Sequence, residues 1–207
     1  MTLEVENYRL TNIILVETFT PLDFFLISRR QFVDRLSDRF PHIQSVPEAI
    51  LLINAKTRTS AFISDSKLEY NQAIENARHG EDIEEWFLRI HESLNPRTTA
   101  FGVNYDSSFK LKGLEDSEGF LLKRFLKEPT ELSKKVKGRI FKAGLKLFYE
   151  KQGYIVDINL EPHSSEKDVV MYRYHLHRDC TELPTAEELG SIIEQNRQAS
   201  FSLLEVL

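Results

Sequence analysis

A single cysteine, Cys180, stands among 207 residues, which excludes an intrachain disulfide framework and fits a reducing compartment. With one tryptophan, eight glycines and seven prolines, the chain holds no low-complexity or Gly/Pro-rich tract, so no long disordered linker is expected. No apolar run approaches the ~20 residues that cross a bilayer. The opening MTLEVENYRL has neither the basic n-region nor the apolar core of a secretory signal. A cytoplasmic protein with no membrane partner is the expectation. Positive charge is not in excess either. The net charge of -5 argues against a generally basic nucleic-acid binder and leaves room for a local basic patch. H-E-x-x-H, C-x-x-C, G-x-S-x-G and Gly-rich phosphate-loop motifs are missing, so no cofactor and no enzymatic chemistry are indicated.

What is present suffices for a core, with 41% hydrophobic and 29% charged residues. Residues 8–19 (YRLTNIILVETF) read as a strand. Thr20, Pro21 and Asp23 then form a helix start, with Phe25, Phe32, Leu36 and Phe40 on one helical face before Pro41. Residues 49–54, 60–64 and 68–72 read as three strands. Ile83, Trp86, Phe87, Ile90 and Leu94 keep helical spacing up to Pro96, and residues 98–112 alternate as a strand. Residues 118–127 read as a helix, and residues 139–150, 153–161 and 168–178 as strands with a turn at Gln152-Gly153. Thr185 and Glu188 make a capping box for a last helix, and FSLLEVL reads as a closing strand. The fold class expected is α/β of the α+β type. Antiparallel sheets would be covered by helices, in one compact unit of two topologically similar strand–helix–strand halves, 8–113 and 114–207.

The C-terminal stretch YIVDINLEPH…VVMYRYHLHRD…EELGSIIEQNRQASFSLL resembles the end of a large prokaryotic family of uncharacterised α/β proteins, over about the last 60 residues. The resemblance implies a prokaryotic or mobile-element origin and a non-catalytic role, with no catalytic residues to carry over.

Two constellations carry chemistry. Residues 123–151 hold ten Lys/Arg against three acids, which leaves the remainder of the chain strongly acidic. Lys134, Lys135, Lys137, Arg139, Lys142 and Lys146, with Arg173 beyond them, are candidates for binding phosphates or an acidic partner. The second lies on the strands 153–161 and 168–178, whose alternation sets Tyr154, Val156, Ile158, Tyr172 and Tyr174 on an apolar face. His175, His177, Asp157 and Glu161 take the polar face. Two histidines at i and i+2 with a carboxylate on the neighbouring strand are the minimum for a metal site. A solvated face collects the same residues, with Asp157 expected opposite Arg173 as an ion pair. The sequence therefore supports first a non-enzymatic binding or adaptor protein of a prokaryotic system, acting through a protein partner or as a homo-oligomer. The alternatives are a nucleic-acid-binding accessory subunit using the basic segment 123–151, and a metal-dependent hydrolase using His175 and His177.

Overall fold

The computed structural model describes residues 5–23, 34–74, 83–113, 115–126, 129–137, 140 and 143–204. Nine strands form one sheet: β1 (Val5–Phe19), β2 (His42–Val46), β3 (Ala49–Asn54), β4 (Thr59–Ser64), β5 (Lys67–Ala73), β6 (Thr98–Leu111), β7 (Leu145–Lys151), β8 (Tyr154–Pro162) and β9 (Val169–Asp179). Their order is β2-β3-β4-β5-β1-β6-β9-β8-β7, and each neighbouring pair runs antiparallel. The described helices are α1 (Ile83–Leu94), α2 (Ser117–Phe125), α3 (Pro129–Lys135) and α4 (Ala186–Leu204).

This sheet overturns the expected fold of two strand–helix–strand halves. The long strand β6 pairs with β1 along one side and with β9 along the other, so hydrogen bonding runs unbroken through the place where the halves would part. Helix-to-strand spacing repeats along the chain, but it cannot say which strands become neighbours. Three further expectations change. Residues 42–46 form β2, an edge strand too polar to be read from HIQSV. Residues 129–135 form the short helix α3. FSLLEVL does not open a strand, because α4 continues to Leu204. Thr20–Asp23, where a helix was expected to start, are not helical; the rest of that expected helix up to residue 33, the Arg139 and Lys142 positions and the last three residues lie outside the described residues.

Period-two alternation sorts the side chains of each strand between two faces. On one face Ile13, Leu15 and Phe19 of β1, Leu68 and Tyr70 of β5, Phe101, Val103 and Tyr105 of β6, and Tyr172, Tyr174 and Leu176 of β9 are almost fully buried. Helix α1 supplies Ile83, Phe87, Ile90 and Leu94 to the same core, one stripe at helical spacing. It stops at Asn95, whose φ of 47° and amide bond back to the His91 carbonyl close the last turn before Pro96. Helix α4 starts at the capping box: the Glu188 carboxylate accepts from the Thr185 amide at 2.9 Å, and Thr185 Oγ1 accepts from the Glu188 amide.

Three buried tyrosines hold α4 to the sheet. The Tyr105 hydroxyl donates to the Ile193 carbonyl at 2.7 Å, the Tyr172 hydroxyl to the Ser200 carbonyl at 3.0 Å, and the Tyr174 hydroxyl reaches Asn196 Oδ1. Each ring fills the core while its polar tip finds a helix acceptor, so no hydroxyl is stranded.

A buried carboxylate joins β1, α1 and β6. Glu17 takes the place in the Ile13–Leu15–Phe19 series where an apolar residue would be expected, and its side chain is fully buried. It accepts from Thr98 Oγ1 at 2.7 Å and lies 2.9 Å from His91 Nδ1. His91 thus partners a buried carboxylate. Trp86 sits at the edge of the core, with Arg89 over its ring at 4.8 Å and Arg39 at 5.5 Å.

Candidate functional site: the open face of the sheet

The opposite face carries the less buried half of the alternating strands. In the β6–β9–β8–β7 quarter the register lines residues into rows. One row is Asn104–His175–Asp157–Phe148, the next Asp106–Arg173–Asn159–Lys146, and on the other side Gly102–His177–Ile155–Glu150. Gly102 permits the close approach within its row: a Cβ there would lie 2.8 Å from the Leu176 carbonyl oxygen and 3.1 Å from the His177 Cβ.

The first two rows line a shallow hollow of about 200 Å³, bounded by Asn104, Asp106, Lys146, Asp157, Arg173 and His175. Its charges come in opposed pairs. Lys146 Nζ lies 3.2 Å from Asp157 Oδ2, and Arg173 Nε lies 3.7 Å from Asp106 Oδ1. Lys146 also stands 4.9 Å from the centre of the Phe148 ring. Asn104 Oδ1, Asp157 Oδ1 and His177 Nδ1 are shielded from solvent and make no hydrogen bond within the described residues. Around the polar rows, Phe148 and Ile155 are 64% and 48% exposed, so apolar surface borders the hollow.

The register corrects the pairing expected for Asp157. It faces His175 on β9, because the β8–β9 loop is centred one residue later than supposed, and Arg173 instead faces Asn159 and Asp106. His175 and His177 do share this face, their ring centroids 5.2 Å apart. Burial, then the neighbouring His177, holds the His175 imidazole below its ordinary pKa, while Asp157 acts in the opposite sense. Glu161 stands two rows from His175 and accepts from the Asn159 amide. Among the described residues no group of three or more His, Cys, Asp or Glu side chains is placed to hold a metal ion.

The basic candidates separate. Lys146 and Arg173 belong to the open face, each facing an acid. Lys134, Lys135 and Lys137 are exposed at and just beyond the end of α3. Arg139 and Lys142 lie outside the described residues. Sequence reasoning missed Asn104, Asp106 and Asn159 as site residues. Their alternation was legible, but the pairing of β6 with β9 that brings them beside His175 and Arg173 was not. Cys180 is half-buried, and burial pushes its thiol up, away from the reactive range.

No protein-family model matches this chain, and no curated protein is found to be similar to it. Among solved structures it is similar to Methanococcus jannaschii TBP at 10% sequence identity and a TM-score of 0.36, over 95% of this chain and 99% of that one. No described helix is long and apolar enough to cross a membrane.

Proposed function

We propose that this chain is a non-enzymatic binding protein that takes a protein partner on the open face of its sheet. The observation that carries the reading is the hollow over β6–β9–β8–β7, with opposed charges and an exposed apolar border. At about 200 Å³ it falls short of the roughly 300 Å³ at which small-molecule pockets begin. A polyphosphate backbone would meet Asp106, Asp157 and Glu161 beside Lys146 and Arg173, which disfavours it here. A protein surface suits the face better: apolar contact at Phe148 and Ile155, with polar rows that accept matched charges and bridging waters.

The test compares two variants with the wild type, each used to recover and identify partners from the native host. The first is Arg173→Ala with His175→Ala on the open face. The second is Lys134→Ala, Lys135→Ala and Lys137→Ala at α3. The proposal expects one specific protein retained by the wild type and the α3 variant and lost by the face variant. Retention of DNA or RNA that is lost in the α3 variant would overturn it in favour of phosphate binding. That binding would show a salt slope of about −0.7 to −0.9 per phosphate neutralised.

A further inference from the structure

β7 closes one end of the sheet, and its outer edge has no strand beside it among the described residues. Exposed edges are usually short, bulged or charged throughout. β7 runs seven residues in unbroken register with β8, and it exposes Phe148 at 64% and Leu147 at 38%.

The turn after β7 decides which backbone groups face outward. Gln152 and Gly153 have φ of 52° and 77°, the left-handed pair that marks a two-residue type I′ hairpin. Such a turn makes Lys151 and Tyr154 a hydrogen-bonded pair, so Leu145, Leu147, Tyr149 and Lys151 spend their backbone groups on β8. The N–H and C=O groups of Lys146, Phe148 and Glu150 therefore point away from the sheet.

We infer that β7 pairs antiparallel with β7 of a second copy of this chain, with Phe148 on the two-fold axis, joining two sheets into one. The strand is complementary to itself in this register. Centred on Phe148, antiparallel pairing sets Lys146 opposite Glu150 of the other copy, twice, and Phe148 opposite its own counterpart, all on the open face. On the core face Leu147 meets the other copy's Tyr149. The outward groups of Lys146, Phe148 and Glu150 then close about six hydrogen bonds across the axis. Shifting the centre to Lys146 or Glu150 would set like charges against each other. Shifting it by one residue would set Phe148 against a charge. The pattern thus selects one register as well as a partner, in the isologous geometry that closes a dimer without propagating a fibre.

The interface's hydrogen bonds come from the strand edge rather than the hollow, and although Lys146 and Phe148 border both, dimerisation is measured without the partner proposed above. The experiment measures mass against concentration over about 1–100 μM by sedimentation, for purified wild type, Lys146→Glu and Glu150→Lys. The wild type is expected to dimerise. Each variant alone places like charges at both ends of the paired strands and is expected to weaken dimerisation about tenfold or more. Mixing the two variants restores both opposite-charge pairs, and a heterodimer of near wild-type affinity is expected. Phe148→Cys in a Cys180→Ser background provides a second readout that does not depend on charge: oxidation should link two chains through position 148. A wild type that stays monomeric across the range would overturn the proposal. So would a dimer unaffected by Glu150→Lys, or variants that fail to recombine although both are folded by circular dichroism.

Discussion

Replacing His91 with alanine should be among the most damaging single substitutions at the margin of the core, because of what it leaves behind. Glu17 is fully buried, and its carboxylate is held by His91 Nδ1 at 2.9 Å and Thr98 Oγ1 at 2.7 Å. His91 itself is 22% exposed, so its own apolar burial contributes little. The loss comes from the carboxylate, which keeps only the threonine hydroxyl in a low-dielectric surrounding. Removing the partner of a buried carboxylate costs about 3–5 kcal/mol, whereas replacing both groups together by well-packed apolar ones is about neutral or stabilising. His91→Ala should therefore lower the urea midpoint by the equivalent of about 3–4 kcal/mol at unchanged m-value. Glu17→Gln, which keeps a hydrogen-bonding group, should cost about 1–2 kcal/mol. Glu17→Leu with His91→Leu should recover most of the loss, giving a large coupling energy in the double-mutant cycle. If His91→Ala costs less than about 1 kcal/mol, water reaches Glu17 and the burial argument is refuted.

Gly102→Ala should destabilise by about 1–3 kcal/mol, since its Cβ would press on the Leu176 carbonyl at 2.8 Å in the middle of the β6–β9 ladder; thermal denaturation measures this. Tyr172→Phe should cost about 1 kcal/mol by removing the 3.0 Å bond that ties the last turns of α4 to β9, with amide exchange accelerating there before elsewhere. Burial raises the Tyr105, Tyr172 and Tyr174 phenols well above their ordinary pKa of 10.0. The folded state keeps these protons while the unfolded chain releases them, so their stabilisation is intact below about pH 10 and falls as pH rises beyond it; phenolate absorbance should appear together with unfolding. The His175 imidazole is displaced downward, so below about pH 6.5 the unfolded chain binds its proton more readily and stability falls with acid. His175→Gln should flatten that acid limb.

The face a residue takes was legible in the sequence wherever alternation was clean. Tyr172, Tyr174, Val156 and Ile158 were expected on the apolar face and are buried, while His175 and His177 were expected on the polar face and stand there. Alternation is a local property, set by the period of the strand itself. Register and neighbour choice are not local. The one-residue error in the β8–β9 loop moved Asp157 from Arg173 to His175, and nothing within residues 163–168 fixed it in advance. The placement of β6 between β1 and β9 was invisible for the same reason, and with it the joining of Asn104 and Asp106 to the hollow. Glu17 and His91 lie 74 residues apart, so only the fold could pair them. The misread closing strand has a different cause. Phe-Ser-Leu-Leu suits strand or helix alike, and the capped helix that began at Ala186 carried through it because propagation is easier than a fresh start.

Lys146 belongs both to the hollow and to the edge, and that overlap governs how variants should be interpreted. Within one chain it pairs with Asp157 and stands over Phe148; across the inferred axis it faces Glu150 of the other copy. A substitution at Lys146 therefore perturbs the face and the interface together and cannot apportion an effect between them. Arg173 and His175 lie on β9, with β8 between them and β7, about 10 Å from the edge at the usual strand spacing. Glu150 lies on β7, away from the hollow's two charge pairs. Effects at β9 and at Glu150 should then add, as they do for sites separated by this distance without shared partners. Joining two sheets through β7 brings the two hollows onto one continuous face, on either side of the axis. A partner with two matching segments would gain avidity from that arrangement without any new contact. Loss of the dimer by Glu150→Lys would then weaken a bivalent partner while leaving single-segment affinity intact. Loss of the face by Arg173→Ala would weaken both.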